Sequence, residues 1–259
     1  MAQDTCTKCG GSGWVVERRG ELSGATRCVD CQAATAAERT ATLLAKANIP
    51  PNYRRVDFDN FRIPNDNPIA RTLLSQAMVI IRSYAREYPV SSKPGILLVG
   101  PTGVGKTHLA IAALKAIIAR GIQGTFFNYQ SLLDKIIASY NPAAGAGRRN
   151  AYESAMESDV LLLDDIGANR AIDWVEDAVN SIITYRCNHI KPLIATTNLY
   201  DPEFGPAVHK IDAAGFAGKQ ATLAERIGER SRSRLFEMCR VIKMPQVEDY
   251  RPHVIDRWG

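Results

Sequence analysis

The stretch "GILLVGPTGVGKTH" at residues 95–108 constrains the fold more than any other part of the chain. A short apolar run leads into a glycine-rich loop that fits G-x-x-x-x-G-K-[ST], with Gly100, Gly105, Lys106 and Thr107 at the fixed positions. Such a loop works where a strand hands the chain to a helix. Its glycines let the backbone curl until successive N–H groups point at phosphate oxygens, and the helix N-terminus adds partial positive charge. Residues Gly100, Pro101, Thr102, Gly103, Val104, Gly105, Lys106, Thr107 and His108 are therefore expected to line a nucleotide site. Lys106 is expected to reach the β- and γ-phosphates, and the Thr107 hydroxyl to ligate Mg²⁺. A chance match is the alternative, and the strand–loop–helix setting stands against it.

The rest of the chain supplies the sheet that such a loop needs. Strand-like runs at 95–100, 125–129, 159–164, 192–197 and 240–244 alternate with helical stretches near 107–120, 130–140, 173–189 and 222–238. Short, nearly all-apolar strands separated by helices predict an α/β fold, a parallel five-stranded sheet with helices on both faces. Ile69, Leu73, Ala77, Ile81, Tyr84 and Tyr88 recur at helical spacing ahead of it. Two low-complexity loops are expected, at 141–150 and 201–221. The prolines of "IPPNYRRVDFDNF" force an extended segment after an Ala-rich helix at 32–48, which places a domain boundary near residue 49. The expected division is 1–48 and 49–259.

"DVLLLDDIG" carries the chain through the sheet and delivers Asp164 and Asp165 to its C-terminal edge, where such sheets bind ligands. With a phosphate loop upstream, Asp164 is expected to hold Mg²⁺ through water, and Asp165 to orient or deprotonate an attacking water. Without that loop, a helix cap would be the ordinary reading of the pair. "IATTN" ends the next strand on Asn198, placed to hydrogen-bond a γ-phosphate or the attacking water, though a plain turn residue has the same look.

Four of the six cysteines form two CxxC units, Cys6/Cys9 and Cys28/Cys31. Each unit is a tight knuckle that aims two sulfurs at one centre, and four thiolates close a tetrahedral Zn²⁺ shell of the structural kind. So short a segment needs the metal to fold. A redox role would require a thioredoxin-like context, which is missing. Cys187 and Cys239 fall within expected helices and read as small buried hydrophobes. Hydrophobic content of 46%, 23% charged residues and a net charge of +5 describe a globular protein with a mild basic excess. No run reaches the length of a membrane span or a signal peptide, so a cytoplasmic protein with no membrane partner is expected.

"GERSRSRL" at 228–235 poses a separate question. On a helix Arg230 and Arg234 share one face and Arg232 points away from it. That face could be solvated and paired with Glu225 and Glu229, could touch nucleic acid, or could probe a phosphate held elsewhere.

Taken in order, the phosphate loop, "LLLDDIG", "ATTN" and "GERSRSRLFEMCRVIKM" resemble the AAA+ ATPases of the DnaC/DnaI helicase-loader group. The IstB-type transposition helper ATPases are close relatives. The run "DDIGANRAIDWVEDAVNSIITYRCN" and the segment "IPPNYRRVDFDNF" fit the same group, and the resemblance covers roughly residues 50–251. It implies ATP hydrolysis, with Arg230 and Arg234 as arginine fingers that serve a neighbouring subunit, hence a homo-oligomer in the ATP state. It further implies a hexameric replicative DNA helicase as partner, held by the zinc module, and single-stranded DNA in the centre of the assembly. Lys135, Arg148 and Arg149 are the candidate DNA contacts, and Arg18, Arg19 and Arg27 leave nucleic-acid binding by the zinc module open. The competing implications are a transposition regulator forming filaments on duplex DNA, and a non-enzymatic ATP switch, which the Asp164–Asp165 pair opposes. Two departures from the group stand out. Only eight residues follow "EDYR", too few for a helical lid, which leaves Arg251 as the substitute for a lid residue. The stretch 201–221 is also long for its place.

Overall fold

In chain order the elements are β1 (Trp14–Arg19), β2 (Leu22–Arg27), α1 (Val29–Lys46), α2 (Pro68–Glu87), β3 (Gly95–Val99), α3 (Lys106–Ile118), β4 (Gly124–Asn128), α4 (Tyr129–Ser139), α5 (Arg149–Glu157), β5 (Val160–Asp164), α6 (Asp173–Asn188), β6 (Leu193–Thr197), α7 (Leu223–Met238) and β7 (Cys239–Lys243). The computed structural model describes residues 6–247 apart from 10–11, 13, 20–21, 64–66, 91, 140–148, 169–172 and 205–220. β3 to β7 form one parallel sheet in the order β4-β5-β6-β3-β7. β3, β5 and β6 are buried at every position, which is why they read as unbroken apolar runs rather than alternating ones.

The two faces of the sheet are legible residue by residue. Ile96, Leu98, Val160, Leu162 and Ile194 pack on one side with α2 and α3. Leu97, Val99, Leu161, Leu163 and Ala195 pack on the other with α4, α5, α6 and α7. Each of the Val, Leu and Ile side chains contributes about 1.5–3 kcal/mol by leaving water, so the central strands are the least negotiable part of the molecule. The register Asn128↔Asp164, Leu163↔Ala195 and Val99↔Thr197 aligns the strand ends, so Asp164, Thr197 and the start of the phosphate loop share one edge. At the opposite edge a buried arginine unsignalled by the sequence, Arg186, donates to the carbonyls of Ala155, Met156, Ser158 and Pro192. It ties α5 and α6 to the entries of β5 and β6.

Ahead of the sheet lies an antiparallel hairpin of β1 and β2, which the sequence did not announce. α1 follows Cys28 directly, and its far end is seated on the main body. Ala47 is fully buried, Leu43 and Leu44 pack on the α2–α3 core, and the Phe126 amide donates to Ala47 O at 2.8 Å. Asn48 Nδ2 returns a bond to Phe126 O at 3.0 Å. This segment covers the outer edge of β4, an edge that would otherwise present unpaired backbone groups.

Three local features differ from expectation. Cys239 opens β7 rather than closing a helix, and it is fully buried as a small hydrophobe. Helix α5 fills 149–157, just past the expected loop. α7 is broken at Gly228, whose φ of 78° and ψ of 151° only glycine adopts without strain. Among the described residues β7 is the last element, and no helical lid is present. No helix among them is long and apolar enough to cross a membrane.

Candidate phosphate-binding site and the arginine helix

The phosphate loop leaves β3 at Gly100, whose amide donates to Thr197 O at 3.2 Å. Val104 is buried at the base of the loop. Gly105 takes φ of 91°, and a Cβ there would stand 2.5 Å from Phe61 Cε2. Both constraints require glycine, and the second shows that the segment before α2 lies across the loop. His108 belongs to that contact. Its Nε2 lies 2.8 Å from Asp57 O and its ring meets Phe61 edge-on at 5.2 Å. Lys115, two turns on, donates to Arg54 O and Val56 O. The "RRVDFDNF" segment is thus strapped to α3, and sequence reasoning missed Phe61 because nothing local marks it.

Lys106, only 8% exposed, donates from Nζ to Gly100 O at 2.8 Å and Pro101 O at 2.7 Å. Thr107 Oγ1 donates to Asp164 Oδ1 at 2.9 Å, joining the two expected Mg²⁺ ligands. Thr196 Oγ1 donates to the same oxygen at 2.7 Å and accepts from the Asp165 amide at 2.8 Å. Burial pushes the Asp164 carboxyl above its ordinary range, against the Thr196 and Thr107 hydrogen bonds and the Lys106 charge that pull it down. A divalent cation at Thr107 and Asp164 would favour the ionised form, and these two oxygens fit one: hard donors side by side at the end of the phosphate loop. Asp165 follows in the left-handed backbone region with φ of 59°, and Thr197 Oγ1 donates to Ile166 O at 2.9 Å, which fixes the turn after β5 on β6. Asn198 stands half-buried directly after β6. Thr196 had a visible signal, a hydroxyl at the end of an otherwise apolar strand.

Of the three arginines of "GERSRSRL" in α7, Arg230 is exposed and Arg234 donates to Glu237 at 2.7 Å, not to Glu225 or Glu229. Glu225 instead closes a capping box with Thr222. Arg234 is partly exposed, and Arg232 points inward to Asp201. Lys135 is exposed on α4 with its ammonium 5.1 Å from the centre of the Phe127 ring. Arg149 opens α5, while Arg148, Arg251 and residues 205–220 lie outside the described residues.

The four cysteines of the N-terminal module converge. Their Sγ atoms all lie within 4.8 Å of one another, with Cys6–Cys28 at 3.7 Å and Cys9–Cys31 at 3.3 Å. A tetrahedron of about 2.3 Å Zn–S bonds has sulfurs about 3.8 Å apart, so the set fits zinc. Hydrogen bonding from Cys9, then Cys6, pushes the Cys31 thiol well above its ordinary value.

A parallel sheet in this order, a phosphate loop closed by Lys106, and a Thr107–Asp164 pair at the strand edge define a P-loop ATPase of the AAA+ class. The chain belongs to the IstB-like ATP binding protein family, which matches residues 38–205, more than half its length. Among curated relatives it is 23% identical to the uncharacterized protein YqaM of Bacillus subtilis, over 67% of this chain and 58% of that one. It is 27% identical to the phage-like element PBSX protein XkdC of the same species, over 75% of this chain and 71% of that one. The crystal structure of the DnaC helicase loader is similar with a TM-score of 0.59 and 31% identity, covering 76% of this chain and all of that one. The match to YqaM thus spans less than two thirds of that relative's length.

Proposed function

We propose that this protein is an ATP-dependent loader of a replicative DNA helicase onto single-stranded DNA, hydrolysing ATP at subunit interfaces. The observation that carries this reading is the likeness to the DnaC helicase loader along the whole of that chain, joined to a four-cysteine module ahead of the ATPase body. The division of labour follows at 1–48 and 49–259: a Zn²⁺-held module that docks a hexameric helicase, and an ATPase engine.

Within the engine, the loop amides from Gly100 to Thr107 and the Lys106 ammonium hold the triphosphate. Thr107 and Asp164 would hold Mg²⁺, which would supply positive charge to neutralise the phosphates. Asp165 orients the attacking water and takes up its proton, and Asn198 aligns that water with the γ-phosphorus. The triphosphate is open on one side within a single subunit, and a neighbour's Arg230 and Arg234 complete it. Their guanidinium charge meets the negative charge that develops on the γ-phosphoryl group in the transition state. Arg234 leads and Arg230 stands beside it, as the resemblance to the helicase-loader ATPases implies. Lys135, Arg148 and Arg149 are the proposed contacts to the single strand, whose binding then weakens steeply with salt.

Size-exclusion chromatography with a hexameric replicative helicase tests this reading. Co-elution that is lost on Cys6→Ser supports it. A second reading is favoured by the family match itself, since the IstB-like proteins carry the name of an insertion-sequence helper. ATP-dependent filaments on duplex DNA, with no co-elution of helicase, would decide for a transposition regulator.

A further inference from the structure

The chain does not end its contacts where β6 stops pairing. Leu199 packs on Gly167 of the turn after β5, with its Cδ1 2.5 Å from where a Cβ would stand. Tyr200 bridges to Thr222, and its carbonyl accepts from the Leu223 amide at 2.9 Å as α7 opens. Asp201, 1% exposed, then accepts Arg232 Nε at 2.6 Å and Nη2 at 2.7 Å, and the Glu203 amide at 3.1 Å. Burial alone would raise the Asp201 carboxyl, yet the Arg232 and Glu203 bonds bring it below its ordinary range. Arg232 is 16% exposed, lies over the Phe236 ring at 4.5 Å, and also reaches Glu203 at 3.1 Å.

The break at Gly228 gives this pair its importance. The capped first turn of α7 is fixed to Tyr200, but a non-helical residue separates it from 229–238, where Arg230 and Arg234 sit. Backbone hydrogen bonding therefore does not transmit the direction of the first turn to the second part. Side chains must set it: Leu235 in the core, Ser231 bonded to Asn180 of α6, and the two-pronged Arg232–Asp201 pair. A fork of two parallel charged bonds fixes orientation more tightly than a single contact, and a buried ion pair contributes more to geometry than to net stability. Its carboxylate is three residues past Asn198, in the segment that follows β6, the strand whose Thr196 holds Asp164.

We propose that Arg232 is the positioning residue of the arginine helix: through Asp201 it sets Arg230 and Arg234 in fixed register with the C-terminal edge of their own sheet, and so with the triphosphate of the neighbouring subunit. This rests on the reading that Arg230 and Arg234 act across the interface. A finger is worth about 10³–10⁵ in rate, and a displacement of about 1 Å in a positioned group costs up to about 100-fold. Loss of the pair is therefore expected to cost about 10- to 100-fold, less than loss of the finger.

Mixed assemblies test it. Acceptor subunits carry Arg234→Ala and keep an intact triphosphate site; donor subunits carry Asp165→Asn and keep their fingers. The mixture is expected to regain turnover that neither parent has. Donors that also carry Asp201→Asn with Arg232→Gln, a neutral pair of similar size that leaves no buried charge alone, are expected to lower the regained kcat about 10- to 100-fold. KM for ATP and assembly by sedimentation should stay as they were, because the acceptor's pocket is untouched. Donors with Arg232→Lys and native Asp201 should recover part of the loss. Undiminished kcat with the neutral pair overturns the inference, as does a loss appearing in KM or in assembly. A first mixture that regains nothing overturns the interface reading itself, a separate outcome.

Discussion

The two halves of the proposed catalytic centre are built in opposite ways. The half formed by Lys106, Thr107, Asp164 and Thr196 is buried but for the half-buried Thr107, and it is hydrogen-bonded within one chain. The half formed by Arg230, which is exposed, and Arg234, which is partly so, is open to solvent, and among the described residues its ion pair is the Arg234–Glu237 contact on the same helix. A buried, interlocked constellation is complete before any partner arrives. An outward cation face is not, and the cost of leaving it in water is small. On the proposed reading this contrast locates control: the grip on triphosphate is intrinsic, while the charge that completes the transition state awaits assembly.

The largest expected effect breaks this comparison at its outward half. Arg234→Ala should lower kcat by about 10³-fold or more in the assembled protein, with ATP affinity nearly unchanged. Steady-state kinetics beside nucleotide binding by fluorescence separates the two. The reverse pattern belongs to the inward half. Gly105→Ala places a Cβ at φ of 91° and against Phe61, so ATP affinity should fall by about 10-fold or more. Adding Phe61→Ala removes the collision but not the backbone strain, so only part of the affinity should return.

Stability measurements sharpen the contrast within α7 itself. Arg232→Ala leaves Asp201 buried without its partner and should cost about 3–5 kcal/mol in urea unfolding. Arg234→Ala, two residues on, should leave the unfolding midpoint where it is. Equal effects would erase the distinction between the inward arginine and the outward ones. The smallest effect concerns the module: chelation, or Cys28→Ser, should abolish helicase co-elution and loosen 6–28 to protease. ATP binding and the thermal transition of the sheet should be nearly unaffected, because α1 is anchored to β4 through Ala47 and Asn48.

What the sequence made legible follows from how each feature is encoded. The strands are read directly because burial on both faces demands continuous apolar runs, and the phosphate loop because its residue types are dictated locally. The four thiols converge as their spacing suggests. Phe61 over Gly105, Arg232 on Asp201 and Arg186 among four carbonyls were not legible. Each joins residues far apart in the chain, 31 residues for Arg232 and Asp201, and no local pattern announces the partner. The break at Gly228 was hidden for another reason: helical periodicity continues through it, since Arg226, Ile227 and Arg230 keep their spacing while the backbone does not. The hairpin of β1 and β2 offers little apolar alternation, and the resemblance to known ATPases does not extend over it.

The account turns on whether the second half of the centre comes from another copy. ATP turnover per subunit, measured across a dilution series followed in parallel by sedimentation, addresses this most directly. Turnover per subunit is expected to fall together with the assembled fraction and to be nearly absent in the monomer. A rate per subunit that stays constant down to fully monomeric protein would contradict it.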